Sequence, residues 1–260
     1  MLRGLLSSGL VPKSAVGVSD VSEAALRTLQ DSNSSVAYAT ESTTELTHRY
    51  GDGIVLLAIK PDMLSQVSQQ IATPVSGLVV SLLAGTTIDT IQKQMSRNNS
   101  HVCPVVRVMP NTAASVGESA TAIARSENCS DGKTQLVKTM MATVGMCHIV
   151  PEKLMDAVCG LSGSGPAYIF TVIDAMADAG VKCGLSRSLA VDLASQTVLG
   201  AAKMALESKQ HVAELRNNVC SPAGTTIAGV QMLETTGVRA GLMAAVEAAV
   251  NRSKAIGRGE

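Results

Sequence analysis

The sequence predicts an α/β fold in which a doubly wound parallel sheet is followed by an all-helical domain. Short β-branched runs alternate with helical patterns as far as Pro151, and this alternation is typical of parallel strands joined by crossover helices. No convincing strand follows Pro151.

Hydrophobic residues make up 46% of the chain, but Trp is absent and there are only three Tyr and one Phe. The core must therefore consist of aliphatic side chains and Met.

The elements of the first half follow from apolar runs and helix start signals. The continuous apolar run 54–59 indicates a strand buried on both faces. Ser22 is placed to cap a helix, and Pro61 suits the first turn of another. The expected strands are 15–19, 54–59, 78–82, 105–108, 120–124 and 146–150. The expected helices are 22–29, 63–71, 87–95 and 131–144.

The second half is predicted to contain only helices, at 165–179, 186–207, 212–219, 225–235 and 238–256. Pro166 marks the start of the first helix and Gly180 its end. Apolar residues of 189–206 fall on more than one side of the helix, so a single neighbouring helix would not cover them. We therefore expect a homodimer or higher homo-oligomer. The predicted domains are 1–151, which binds a nucleotide, and 152–260, which dimerises and binds substrate.

Composition excludes several classes of function. Lys plus Arg and Asp plus Glu both number 21, so the formal net charge is zero and a strongly basic nucleic-acid surface is excluded. Four aromatic rings are too few for a base-stacking platform. The six cysteines form no Cys-x-x-Cys pair and the four histidines are scattered. We therefore expect buried free thiols, no metal site and a reducing compartment.

Membrane insertion is not expected, because we find no segment in the sequence that is both long enough and apolar enough to span a bilayer. Residues 1–14 contain Arg3 and Lys13, and no acidic residue precedes Asp20. This loosely resembles an organelle transit peptide, but we interpret residues 1–6 as the end of a helix. The expected location is the cytoplasm, with mitochondria as the alternative.

A sheet of this type binds a nucleotide at the carboxyl ends of its strands. The glycine-rich turn Gly-x-Gly-x-x-Gly, which would hold the pyrophosphate, does not occur in the sequence. Residues 1–6 read as the end of the helix that such a turn would open. We therefore expect an incomplete Rossmann-like domain, with the first strand and the glycine turn upstream of Met1.

The most specific segment is 215–234, which contains Ser221-Pro-Ala-Gly-Thr-Thr226. Gly224 allows a tight turn, after which the amides of Thr225 and Thr226 point outward at a helix N-terminus. Such a terminus attracts a carboxylate, and the hydroxyls of Ser221 and Thr226 can reach a ligand. An ordinary helix cap is the alternative interpretation of the same residues.

This segment resembles the signature of pyrroline-5-carboxylate reductases, which reads Ser-Pro-Gly-Gly-Thr-Thr; here Ala223 replaces one glycine. Three further segments match the family in order along the chain: 58–61, 107–112 and 160–168.

The segment 160–166 lacks the Lys of a phosphate loop and the Gly-x-Ser-x-Gly spacing of a nucleophile elbow. We therefore assign it a structural role beside the active site.

The resemblance implies hydride transfer from NADPH or NADH to 1-pyrroline-5-carboxylate, giving L-proline. A cyclic iminium is already electrophilic, so positioning and electrostatics suffice for catalysis. Thr226 is the expected catalytic residue, since its hydroxyl would bond the ring nitrogen and relay a proton. The substrate-binding residues are expected to be Glu152, Asn218, Ser221, Gly224, Thr225 and Thr226.

The resemblance also implies a cofactor site assembled from strand ends. Nicotinamide contacts are expected from Ala58, Ile59, Lys60, Pro61, Ala84 and Asn111, and ribose contacts from Ser19, Asp20 and Ser22. An acid at this position bonds a ribose 2′-hydroxyl and repels a 2′-phosphate. Asp20 thus favours NADH, whereas the two serines could accommodate NADPH.

The resemblance implies that a second subunit completes the active site. Two alternatives stay open at this point. One is a β-hydroxyacid dehydrogenase, although Lys182 and Lys203 do not lie in the sequence setting that its catalytic lysine requires. The other is a non-catalytic dimerising paralogue, or a truncated gene model, that lacks the cofactor loop.

Overall fold

The computed structural model describes residues 2–31, 36–71, 75–96 and 102–260. These divide into two compact units. Unit 1 comprises residues 1–164 together with 248–260, and unit 2 comprises residues 165–247. Unit 1 therefore takes in the turns after Pro151 and the last part of the final helix. The domain boundary predicted at 151/152 stays a prediction.

Unit 1 alternates strands and helices as the sequence predicts. The strands are β1 Gly17–Ser19, β2 Tyr38–Thr40, β3 Ile54–Leu57, β4 Leu78–Ser81, β5 Val105–Met109, β6 Ser119–Arg125 and β7 Gly145–Ile149. The helices are α1 Leu2–Ser7, α2 Glu23–Asp31, α3 Thr43–Tyr50, α4 Leu64–Gln70, α5 Ile88–Met95, α6 Asp131–Ala142 and α7 Met155–Val158. Unit 1 also contains short 3₁₀ turns (Lys13–Ala15, Pro61–Met63, Thr112–Val116 and Glu152–Leu154), a π-helix (Cys159–Gly163) and the last part of the final helix.

The strands form two sheets, with β1 parallel to β2 in one and the order β3-β4-β5-β6-β7 in the other. Strands β3, β4 and β5 are parallel, but β6 is antiparallel to β5, and β7 is parallel to β6. The predicted α/β fold with a parallel sheet is confirmed, and the pair β5–β6 is an antiparallel exception within it. Only a 3₁₀ turn joins β5 to β6, which is too short for the crossover that a parallel pair needs.

Apolar clusters cover both faces of the five-stranded sheet. Val79 and Val105 belong to one cluster, with helices α4 and α5 contributing Leu64 and Ile91. Val80, Val106 and Val108 belong to the other cluster, with α1 and α6 contributing Leu5, Val137, Met140 and Met141. Successive strand residues point to opposite faces, so this alternation places β4 and β5 at the centre of the core.

Strand β3 is less buried than its apolar sequence predicts. Leu57 is buried, but Ile54 is exposed and Val55 and Leu56 are only half-buried. The strand forms one edge of the five-stranded sheet, and an edge strand is covered less completely than a central one. The prediction that residues 54–59 are buried on both faces is therefore wrong.

The predicted cap at Ser22 is present, and Thr87 forms a second cap that was not predicted. The side chain of Ser22 accepts a hydrogen bond from the amide of Ala25 at 3.3 Å, and Thr87 accepts one from Thr90 at 3.2 Å. Residues 2–7 are helical as interpreted, with Leu5 and Leu6 buried. The sequence analysis did not identify β2 and α3.

Unit 2 consists of α8 Gly165–Lys182, α9 Arg187–Glu207, α10 Val212–Val219, α11 Thr225–Thr235 and the first part of α12 Val238–Arg258. The expectation that Gly180 ends the first helix is wrong, because α8 continues to Lys182. A Cβ at Gly180 would lie 3.1 Å from the Cβ of Ala190. Gly180 therefore permits the close packing of α8 on α9, and Gly184, at φ +102°, follows the helix end.

Unit 2 has a small core and a large exposed apolar surface. Its buried cluster consists of Ala177, Ala190 and Ala194. By contrast, Leu193, Leu199, Met204 and Leu206 of α9 are exposed. Three buried alanines remove little apolar area from water, so the helices need a further partner, as the expected oligomer would provide.

Helix α9 corrects one expectation. Within the described residues, Arg187–Glu207 has the length and composition of a membrane-spanning helix, so the prediction that no segment qualifies is wrong. One such helix is weak evidence for a membrane span. The face that carries Ala190 and Ala194 is buried in the helical unit.

All six cysteines are free thiols, as expected, but only Cys103, Cys129 and Cys147 are buried. Burial raises the pKa of Cys103 and of Cys147, so these thiols stay protonated. Cys183 is exposed, contrary to the expected burial, because it lies in the turn after α8.

Candidate active site

Three of the predicted cofactor segments lie at one edge of the sheet. Residues 58–61 follow β3, Ala84 follows β4 and Asn111 follows β5. These strands are parallel neighbours, so their carboxyl ends meet at the same edge, where nucleotides bind in open α/β sheets.

The segment after β3 presents both polar and apolar atoms. Ala58 and Lys60 are exposed, while Ile59 packs against the sheet core. Lys60 precedes the 3₁₀ turn, and Pro61 occupies the first turn as predicted. The carbonyl of Lys60 accepts a hydrogen bond from the amide of Met63 at 3.0 Å, which fixes the direction of the chain after the strand.

Asn111 is tied to its surroundings by both ends of its amide. Its Oδ1 accepts a hydrogen bond from the amide of Ala113 at 3.1 Å. Its Nδ2 donates to the carbonyl of Ser162 at 3.1 Å, within the π-helix. Asn111 therefore caps the following 3₁₀ turn and ties Ser162, within the 160–166 segment, to the end of β5. The structural role assigned to that segment is consistent with this contact, and direct cofactor binding by Asn111 stays a prediction.

The ribose candidates lie between β1 and α2. Asp20 Oδ1 accepts a hydrogen bond from the amide of Ser22 at 2.8 Å, and the Ser22 hydroxyl caps α2. Asp20 and Ser22 are exposed and Ser19 is half-buried. The second carboxylate oxygen of Asp20 accepts no hydrogen bond from the described residues, so it can accept one from a ribose hydroxyl.

A buried arginine is the main feature that sequence analysis missed. Arg107, in the middle of β5, is 2% exposed. Its Nη1 lies 3.6 Å from Glu152 Oε1 and its Nη2 lies 3.6 Å from Asp156 Oδ1. A single charge in the apolar run 105–109 was the available signal, because a buried charge requires a partner.

These contacts bear on Glu152, a predicted substrate-binding residue. Besides Arg107, its Oε1 accepts a hydrogen bond from the amide of Ile88 at 2.6 Å. The carboxylate thus caps α5 and neutralises a buried guanidinium, which favours a structural role. Substrate binding by Glu152 stays a prediction.

The α10–α11 turn contains the sequence signature. Ala223 has φ +55°, the only positive φ of a non-glycine residue in the described chain. Gly224 has an ordinary φ of −80°, so the positive φ of this turn is at Ala223 and not at Gly224. A Cβ at Gly224 would collide with the Ser221 hydroxyl, which would have to rotate away, and would lie 3.1 Å from the Ser221 carbonyl oxygen. The glycine that the family signature carries at position 223 would relieve the strain at Ala223.

Helix α11 begins without a side-chain cap. Its Ncap residue is Gly224, and no side chain accepts from the first-turn amides. Thr225 is exposed and Thr226 half-buried. Among the described contacts, neither hydroxyl takes part in a hydrogen bond. An uncapped N-terminus with two free threonine hydroxyls is suited to bind an anion.

The flanking candidates, Asn218 and Ser221, are both exposed. Asn218 Nδ2 donates to Gln210 Oε1 at 3.5 Å, a long contact that a ligand can displace. The carbonyl of Ser221 accepts the Gly224 amide at 3.1 Å. The turn therefore brings together Asn218, Ser221, Gly224, Thr225 and Thr226 in unit 2, whereas Glu152 and the cofactor candidates belong to unit 1.

The described part of the chain contains no group of three or more His, Cys, Asp or Glu residues placed to hold a metal ion. The candidate residues lie instead at strand ends in unit 1 and at one helix N-terminus in unit 2. A sheet unit whose parallel strand ends meet at one edge, followed by a helical unit with an exposed apolar surface, has the architecture of two-domain proteins that bind a dinucleotide.

Comparison with known proteins identifies the family. Residues 152–256 match the family described as "Pyrroline-5-carboxylate reductase dimerisation". The chain is 43% identical to the pyrroline-5-carboxylate reductase of Methanosarcina acetivorans, covering 99% of this chain and 93% of that protein. It is 39% identical to human pyrroline-5-carboxylate reductase 2, covering 98% and 79%. The chain belongs to the pyrroline-5-carboxylate reductase family.

A solved structure shows the same fold. The crystal structure of Plasmodium falciparum pyrroline carboxylate reductase with NADP bound has a TM-score of 0.86 and is 32% identical. The match covers 98% of this chain and 92% of that one. The helical region that the sequence analysis assigned to dimerisation is thus the region that the dimerisation family matches.

Proposed function

We propose that this protein reduces 1-pyrroline-5-carboxylate to L-proline with NADPH or NADH. Family membership at 43% identity over 99% of the chain carries the proposal. The arrangement of its residues supports the same reaction, because it offers strand ends for a dinucleotide and an uncapped helix N-terminus for a carboxylate. The physiological step is the last one of proline biosynthesis.

The cofactor candidates fit a dinucleotide chemically. Asp20 keeps one carboxylate oxygen available for a ribose hydroxyl, and the small residues Ala58 and Ala84 leave room beside the strand ends. The relative with the solved structure is described with NADP bound, which supports NADPH for this chain, whereas Asp20 favours NADH. When bound, the reduced nicotinamide supplies the hydride.

The residues of the α10–α11 turn hold and polarise the substrate. The amides of Thr225 and Thr226 bind its carboxylate, where the positive end of the α11 dipole adds to the attraction. The Thr226 hydroxyl bonds the ring nitrogen and relays to it one proton from solvent, which converts the imine to the electrophilic iminium. The hydride adds to the C=N carbon, and the nitrogen ends as the secondary amine of proline. Asn218 and Ser221 line the pocket.

The homo-oligomer is part of this proposal. The exposed apolar residues of α9, together with Leu242 and Met243 of α12, provide an interface that a second copy would cover. Obligate interfaces of this kind bury about 2,000 Å² or more. We propose the cytoplasm as the location, which is consistent with six free thiols, and imaging of a fluorescent fusion would distinguish it from mitochondria.

The function is tested by initial rates of nicotinamide oxidation, followed at 340 nm with 1-pyrroline-5-carboxylate as the varied substrate. We expect saturable, substrate-dependent oxidation of at least one of the two cofactors. Absence of any substrate-dependent oxidation by the folded oligomer would contradict the proposal and favour the non-catalytic alternative.

A further inference from the structure

The loop between β4 and α5, residues 82–87, is held at two points by residues distant in sequence. Gly85 has φ +70°, and a Cβ there would lie 2.7 Å from the Ser253 carbonyl and 2.9 Å from the Gly257 amide nitrogen. A Cβ at Gly257 would in turn collide with the Gly85 carbonyl oxygen. The backbones of the loop and of the last turns of α12 are therefore in direct contact, within unit 1.

The second point of support is the end of the loop. The amide of Ile88, the first residue of α5, donates to Glu152 Oε1 at 2.6 Å. This contact crosses 64 residues of sequence. The loop is thus fixed at Gly85 by α12 and at Ile88 by the turn that follows the sheet.

Arg107 links the two supports. Its guanidinium lies 3.6 Å from Glu152, which holds Ile88, and 3.6 Å from Asp156. Asp156 Oδ1 also accepts a hydrogen bond from the hydroxyl of Ser253 at 2.7 Å, and Ser253 is 2% exposed. The network therefore runs from Arg107 through one carboxylate to each end of the loop.

A gain in folding stability alone does not explain why Arg107 is buried here beside its ion-pair partners. Arg107 Nε and Nη2 have no hydrogen-bond partner among the described residues. Burying an incompletely bonded guanidinium costs more than burying an apolar side chain of similar size. The arrangement is better explained by what it holds in place.

We propose that Arg107, Ser253 and Gly257 are positioning residues that fix the β4–α5 loop, and with it Ala84, against the cofactor. This inference rests on the proposed function, because Ala84 is assigned to the nicotinamide on the family resemblance. The last turns of α12, although they lie in the region matched by the dimerisation family, would then be part of the cofactor side of the active site.

The first test measures hydrogen–deuterium exchange of the amides of residues 82–88 in the full chain without cofactor. Gly257→Ala adds one methyl group that must displace Gly85, and we expect exchange in this loop to become at least tenfold faster. The matched control is Gly132→Ala, the same change in a helix of the same unit, where the Cβ meets nothing within 4 Å. We expect the control to leave exchange of the loop unchanged.

Ser253→Ala and Arg107→Met test the other links. Ser253→Ala removes one hydroxyl at a helical position, so it keeps the proposal testable if Gly257→Ala does not fold. Arg107→Met should accelerate exchange at both ends of the loop, and Arg107→Lys, which retains the charge, should do so less. Unchanged exchange of residues 82–88 in folded Gly257→Ala or Ser253→Ala would overturn the proposal.

Steady-state kinetics distinguish residues that position the β4–α5 loop for catalysis from residues that only stabilise the fold. In Gly257→Ala we expect kcat to fall at least tenfold while the KM for 1-pyrroline-5-carboxylate stays within twofold, because the amides proposed to bind the substrate carboxylate are those of Thr225 and Thr226 on α11. A loop that loosens without any change in kcat would also overturn the proposal. If the wild-type chain does not reduce 1-pyrroline-5-carboxylate, the proposed function is contradicted. If the variants still show faster exchange of residues 82–88, the conclusion that α12 fixes the β4–α5 loop remains supported.

Discussion

Thr226→Ala should lower kcat strongly and leave the free energy of unfolding almost unchanged. The Thr226 hydroxyl is half-buried at the start of α11 and takes part in no hydrogen bond among the described contacts. Removing it should therefore change the free energy of unfolding by no more than about 0.5 kcal/mol, as for a substitution that breaks no named interaction. If the hydroxyl bonds the ring nitrogen in the transition state, kcat should fall by about 10²–10³, equivalent to about 2.7–4 kcal/mol.

The assay combines steady-state reduction of 1-pyrroline-5-carboxylate with thermal unfolding. Thr226→Ser retains the hydroxyl and should keep most of the activity. Thr235→Ala provides a matched control in the last turn of the same helix, where the hydroxyl bonds the carbonyl of Gln231 at 2.9 Å. We expect this control to leave kcat unchanged. A Thr226→Ala rate within about threefold of wild type would refute the role assigned to the hydroxyl.

Three further predictions concern strain, cofactor preference and assembly. Ala223→Gly should raise the free energy of unfolding by about 1 kcal/mol, because it relieves a positive φ; calorimetry should show a Tm about 2–4 °C higher, and a lower Tm would contradict the argument. Asp20→Ser should lower the KM for NADPH about tenfold and raise that for NADH, since it removes a charge that repels a 2′-phosphate; unchanged KM values in steady-state kinetics would exclude Asp20 from the ribose site. Leu199→Glu combined with Met204→Glu, at two exposed positions of α9, should dissociate the oligomer in sedimentation velocity, and an unchanged sedimentation coefficient would mean that this face is not the interface.

The sequence predicted the elements whose signals are local. Ser22, Thr87 and Ser186 cap the helices that were expected after them, and the apolar runs around β4 and β5 are buried strands. Strand β2 has only three residues and, unlike the predicted segment 15–19 around β1, contains no Val or Ile, so its strand signal is weak. The antiparallel pairing of β6 depends on the length of one connection and has no signal within the strand itself.

The candidate site was predicted only in part. A sequence motif indicates local structure, whereas contacts between residues far apart in the sequence leave no local pattern. The signature placed an uncapped helix N-terminus at Thr225, which the structure contains. It could not show that Ala223 adopts the positive φ, since that angle depends on the whole turn. The partners of Arg107 come from segments 45 and more residues away, so no local pattern identifies them.

Isotope transfer tests the central claim most directly. The chain would be incubated with 1-pyrroline-5-carboxylate and NADPH or NADH that carries deuterium at both C4 positions of the nicotinamide, and the product analysed by mass spectrometry and NMR. We predict L-proline that carries one deuterium at the former C=N carbon, in a one-to-one ratio to oxidised cofactor. Proline without deuterium, or cofactor oxidation without proline, would contradict direct hydride transfer by this protein.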